Sequence, residues 1–209
     1  MQHCVGMLKI NRLFSCLCIL TSIAGAVFIS RSAEAQTDLK FDSRGNPKSQ
    51  GIWITVKYPQ GWEAKEGERP NIVKKFVLNK PTYSVMMMLQ VKKVPKEAIP
   101  EMPNLSIADW TEVFSELTPG AIATGIKKIH HENRPGVIGD VTMKLERAGI
   151  SAWQKQRIMY IFFKDVMIGA WCGVVGYPTL SKEQVASQFE LYANECFKFI
   201  NSLTLMDQY

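Results

Sequence analysis

From Gly51 onward, apolar residues fall at regular intervals. Ile52, Ile54, Val56 and Tyr58 alternate with Trp53, Thr55 and Lys57, a period of two that predicts a strand ended by Pro59-Gln60-Gly61. Residues 72–78 and 83–91 predict two more strands about the turn Asn79-Lys80-Pro81-Thr82, a spacing that sets Lys74 opposite Met87. Tyr83, Val85, Met87, Leu89 and Val91 share one face, and Met86 and Met88 on the other predict a strand covered on both sides. Pro95, Pro100 and Pro103 then break the pattern, and Ser106 with Asp109 resembles a capping box. Ile107, Trp110, Val113, Phe114 and Leu117 recur at helical spacing until Pro119-Gly120.

Residues 126–131 and 137–146 predict strands around Asn133-Arg134-Pro135-Gly136. Residues 153–163 and 166–175 form the strongest pair, and a two-residue turn at Lys164-Asp165 places Phe163 beside Val166 and Cys172 opposite Arg157. Ser181 opens one long terminal helix, with Val185, Phe189, Tyr192, Cys196, Ile200 and Leu203 as its apolar stripe. Hairpin connections dominate this order of elements, so the expected fold class is α+β. The central sheet should be mainly antiparallel, with about six to seven strands and helices on both faces.

The first 50 residues lie outside that pattern. Lys9 and Arg12 precede an apolar run over residues 13–29, and Ala33 and Ala35 occupy the small-residue positions before a cleavage point between Ala35 and Gln36. Residues 1–35 therefore read as a signal peptide and residues 36–50 as a flexible polar arm. Residues 51–209 read as a single domain. Cleavage removes Lys9, Arg12, Arg31 and Glu34, lowering the net charge from +6 to +4, a weak reason to expect a polyanion partner. It also removes Cys4, Cys16 and Cys18, leaving Cys172 and Cys196 in an oxidising compartment where pairing is the default. A disulfide there would clip the terminal helix to the sheet. The expected location is periplasmic or extracellular.

The strand Ile54-Thr55-Val56-Lys57-Tyr58 running into Pro59-Gln60-Gly61-Trp62, and the closing Phe197-Lys198-Phe199-Ile200-Asn201-Ser202-Leu203, resemble the PsbP-like fold family. That family, which includes extrinsic photosystem proteins and a Ran-release factor, is an α/β/α sandwich. The resemblance spans the domain from Gly51 on and implies an accessory or binding protein without a catalytic centre. It supplies no site residue to carry over.

The residues themselves offer little chemistry. His130 and Glu132 could share a strand face as metal ligands for a hydrolase, but adjacent His131 would point the other way, and a solvated strand end is the simpler reading. The chain has no Gly-x-Ser-x-Gly elbow, phosphate loop or Cys-x-x-Cys pair. Lys74-Lys75, Lys92-Lys93 and Lys127-Lys128 could meet an anionic envelope or membrane surface, although edge protection and solubility are the simpler explanation. Trp53, Lys57 and Trp62 are candidate contact residues, because large aromatics often anchor interfaces. The expectation is an exported, non-enzymatic, monomeric binding protein. It should use no catalytic residue, cofactor or nucleic acid, and its partner should be a protein or envelope component.

Overall fold

The computed structural model describes residues 37–98, 100–117, 120–147 and 149–208. The signal segment and its cleavage point at Ala35 and Gln36 lie outside the described residues. Ten strands and three α-helices occur among those described: β1 (Asp38–Asp42), β2 (Ile54–Pro59), β3 (Glu63–Glu66), β4 (Ile72–Asn79), β5 (Tyr83–Lys93), α1 (Ile107–Leu117), β6 (Ile122–His131), β7 (Arg134–Arg147), β8 (Ile150–Phe163), β9 (Val166–Gly176), α2 (Lys182–Leu191), α3 (Ala193–Asn201) and β10 (Thr204–Leu205). The class is α+β, and every strand pair is antiparallel.

Seven strands form the main sheet in the order β3-β4-β5-β9-β8-β7-β6, and three form a small sheet in the order β1-β2-β10. The sheet carries two separate cores. On one face, alternate residues Val85, Met87, Leu89, Ile168, Ala170, Cys172 and Val174 meet Val185 and Phe189 of α2, Cys196, Phe199 and Ile200 of α3, and Ile54 and Val56 of the small sheet. Phe76 stands at its centre, stacked on Tyr58 with ring centroids 4.1 Å apart and edge-on to Phe199 at 5.9 Å. The smaller core, on the other face, packs Trp110 and Phe114 of α1 against Val137, Val141, Ile158, Tyr160 and Phe162.

Four sequence expectations need correction. The arm is ordered: residues 38–42 pair with β2, and Ser43 is buried, its hydroxyl donating to the Ile52 carbonyl at 3.1 Å and accepting the Ile54 N–H at 2.8 Å. Backbone pairing needs no apolar alternation, which is why this polar segment gave no signal. The opening strand β2 joins the small sheet instead of the main one, and the charged edge strand β3 takes its place beside β4. In the β4–β5 hairpin Asn79 pairs with Ser84, so Lys74 faces Leu89, two residues from its expected partner. The terminal helix is two helices, broken at Tyr192, where the backbone reaches φ −106° and ψ 6°.

Candidate functional site

Strand β9 lies between β5 and β8, and its two faces are treated differently. Ile168, Ala170, Cys172 and Val174 are sealed under α2 and α3. Gly169, Trp171, Gly173 and Val175 alternate with them and face the other way, as alternation along a strand requires. The ladders extend this second face: Met88 lies opposite Trp171, Met86 opposite Gly173, and Val77 opposite Met86. Gln154 and Gln156 join it from β8, opposite Val175 and Gly173. Helix α1 covers only the far part of this face, where Trp110 stacks on Phe162 at 5.7 Å and Phe114 meets Tyr160 at 5.6 Å. The core beneath α1 reaches β9 at Met167 and Trp171 but includes no residue of β4 or β5 among the described residues. The result is a strip of sheet, half-buried at Val77, Met86, Met88, Trp171 and Val175, with α1 as one wall.

Two glycines shape its floor. A Cβ on Gly169 would come within 2.8 Å of Trp171 Nε1 and 2.9 Å of Tyr160 Cε1, so the missing side chain lets the indole lie back against Tyr160. A Cβ on Gly173 would meet Gln156 Cβ at 2.5 Å, so only glycine permits that close approach of the strands.

The polar atoms of the strip are unevenly satisfied. Gln154 Nε2 donates to Gln156 Oε1 at 2.7 Å. Gln156 is only 2% exposed, yet its Nε2 has no hydrogen-bond partner among the described residues, and neither has the buried Trp171 Nε1. Turning the Gln156 amide over by itself would set nitrogen against nitrogen. A buried donor left unpaired costs about 1–3 kcal/mol, and native proteins keep few of them. Of the charges bordering the strip, Lys65 pairs with Glu63 at 3.0 Å and Lys75 with Glu68 at 2.7 Å, while Lys92, two residues beyond Gln90 on the same face of β5, is exposed. Beneath α1, burial pushes the Tyr160 hydroxyl well above the ordinary tyrosine range.

Apart from Lys75 and Lys92 at its borders, the residues singled out from sequence lie elsewhere. Glu132 and Asn133 form a tight turn with φ of 48° and 61°, and that turn grips the C-terminal strand. His131 Nε2 lies 2.7 Å from the Leu203 carbonyl, and Glu132 Oε2 accepts the Leu205 N–H at 2.9 Å. His130 is exposed, and Glu132 Oε2 is engaged by the Leu205 N–H. Trp62 is 7% exposed and belongs to the main core, which leaves it no contact surface. The Trp53 indole donates to Asp42 at 2.9 Å and lies under the Arg44 guanidinium at 3.8 Å. It borders an open hollow by Arg44 and Asn46, where Ser43, Asn46 and Ser49 already bond to backbone. Lys57 has an exposed side chain, while its N–H donates to Ser202 Oγ at 2.7 Å. Lys74 pairs with Glu66 at 2.5 Å, and Lys92 and Lys93 point to opposite faces of β5.

Cys172 and Cys196 are joined in a disulfide. Such a bond belongs to an oxidising, extracytoplasmic compartment. The sequence signal for the strip itself was faint: three consecutive methionines, a tryptophan between two glycines, and two glutamines in an apolar strand.

No known family and no curated protein matches the sequence. Among solved structures the chain is similar to LpqN, involved in cell envelope biogenesis of Mycobacterium tuberculosis, with 11% identity and a TM-score of 0.43 over 80% of this chain and 91% of that one. It is also similar to a protein from Bacteroides thetaiotaomicron, with 11% identity and a TM-score of 0.35 over 73% of this chain and 45% of that one. Likenesses this distant concern the course of the backbone alone and carry nothing about a role.

Proposed function

We propose that the chain is an exported, non-catalytic binding protein on a PsbP-like sandwich, and that the uncovered strip of β4, β5 and β9 is its binding face. The observation that carries this reading is the buried, unpartnered amide of Gln156 on a half-covered apolar surface. A binding partner would both cover the methionines and satisfy that donor. The disulfide supports the extracytoplasmic part of the reading, since thiols in the cytosol are kept reduced. The signal-like segment of residues 1–35 supports it independently.

Two measurements test the proposal. A photocrosslinking side chain placed at Met86 in the producing cell should give adducts that the same group at exposed Lys144 does not. Equal labelling at both positions would remove the strip from consideration. The protein recovered from the envelope or medium should have the mass of a chain starting at Gln36. Recovery of the full-length chain in the cytosol would overturn export.

A further inference from the structure

The strip has the dimensions of a missing helix. Neighbouring strands lie about 4.7–4.9 Å apart, so β4, β5 and β9 span roughly 10 Å between their outer axes, about the diameter of an α-helix with its side chains. From Ser84 to Gln90, the stretch of β5 that faces this side, the strip runs for about 20 Å, which matches a helix of roughly 13 residues. On the opposite face, α3 lies against β9 through Cys196 and Phe199. On this face α1 already covers the adjoining strands, so an added helix would lie beside it and complete the layer.

We propose that the strip receives one amphipathic α-helix from a partner protein, with an uncharged apolar stripe and a single hydrogen-bonding side chain near its centre. This inference rests on the binding-face reading given above and names its occupant. Charge points to that stripe over β4 and the middle of β5: Lys65–Glu63 and Lys75–Glu68 neutralise the border there internally, and the exposed cation Lys92 stands only at the α1 end. Gln156 specifies the central polar group, because its Nε2 donor lacks an acceptor. Met86 and Met88 suit a helix surface, since unbranched thioether chains remodel around knobs of different shape. A lipid chain fits poorly. Ligand cavities run to about 300–1,000 Å³ and enclose most of their guest. The mostly apolar hollow at the α1 end, lined by Val94, Met102, Val113 and Met167 together with Lys92 and Lys93, holds only about 120 Å³. An added strand fits no better, because β5 and β9 are interior to the sheet and have no free edge.

The test uses the full disulfide-bonded chain and three probes. The first is a neutral peptide of about 14 residues with a Leu/Ala stripe and one central glutamine. The second is the same composition rearranged to a period of two, and the third is dodecyl maltoside below micelle concentration. Hydrogen exchange in β4, β5 and β9 reports contact, and circular dichroism reports peptide helicity. The striped peptide should become helical on binding and protect the strip, and the rearranged peptide should not. Met88→Lys should weaken binding by at least about tenfold, because the docked helix would bury an unpaired ammonium. Gln156→Leu should reverse the preference, favouring a stripe with leucine at its centre. Protection by the amphiphile alone would overturn the helix while leaving the binding face intact. A dimer of the free protein that Met88→Lys dissociates would assign the strip to a second copy and overturn the partner helix. Protection by no probe, or binding indifferent to Met88→Lys, would overturn both the helix and the face.

Discussion

The two faces of β9 differ in the kind of residue they use, not in how apolar they are. The face under α2 and α3 carries Ile168, Ala170, Cys172 and Val174, all fully buried and locked by a disulfide. The opposite face carries Gly169, Trp171, Gly173 and Val175, beside Met86, Met88 and three buried glutamines. Compact aliphatic shapes make a core that can close in only one way. Glycine, methionine and glutamine make a surface that can adjust and still has a hydrogen bond to give. A strand can therefore be apolar on both faces and yet be finished on only one of them.

The largest expected effect breaks the finished face. Phe76→Ala removes the ring between Tyr58 and Phe199 and should cost about 3–5 kcal/mol in denaturant unfolding. Met88→Ala, on the half-buried strip, should cost no more than about 1 kcal/mol. Equal losses would mean that the strip is packed as tightly as the core, and the contrast would disappear. Next comes the disulfide. Replacing both Cys172 and Cys196 with alanine opens a link across 24 residues and should cost roughly 3 kcal/mol. Hydrogen exchange should rise in α3 and stay unchanged in α1, which belongs to the other core.

Alkaline pH probes both layers together. Tyr160, beneath α1, is raised by burial. Tyr192, at the break between α2 and α3, is pushed up to about 12 by burial first and then by its hydroxyl contact with Tyr83 at 3.3 Å. Both phenols hold their protons more tightly when folded than when unfolded, where the pKa is about 10. Their contribution is therefore complete below pH 10 and is lost as pH climbs through 10 towards 12 and beyond. Unfolding titrations should show that slope for the parent and a shallower one for Tyr160→Phe. Identical slopes would mean that Tyr160 exchanges its proton freely despite its cover.

Much of this was legible in the chain. The β8–β9 register follows from the two-residue turn Lys164-Asp165: Phe163 pairs with Val166 and Arg157 with Cys172, as the spacing predicts. The β4–β5 register does not, because Lys80 N–H closes onto the Tyr83 carbonyl at 2.9 Å and tightens the turn. A shift of two keeps every side chain on its own face, so the facial pattern survived the error. The stripe of Val185, Phe189, Cys196 and Ile200 stays buried across the break at Tyr192, and no proline or glycine marks that break. β3 was missed because Glu63-Ala64-Lys65-Glu66 is an edge strand without an apolar face. The strip was read as covered because alternation records which residues avoid water in a strand, and says nothing of whether the cover comes from the same chain.

The smallest expected effect is also the sharpest test of what the glutamines are for. Gln156→Leu alone removes the unpartnered Nε2 but deprives Gln154 Nε2 of its acceptor, so the change should be within about 1 kcal/mol of neutral. Replacing Gln154 and Gln156 together with leucine removes both the bond and the orphan. Exchanging a buried polar pair for apolar groups of similar size is close to neutral or stabilising, so this double variant should match or exceed the parent in unfolding. A loss above about 2 kcal/mol would mean that the amides hold the sheet together, as a fully satisfied network does. Stability kept or gained, with helix-peptide preference altered, would mean that the fold carries these two residues at its own expense for something outside it.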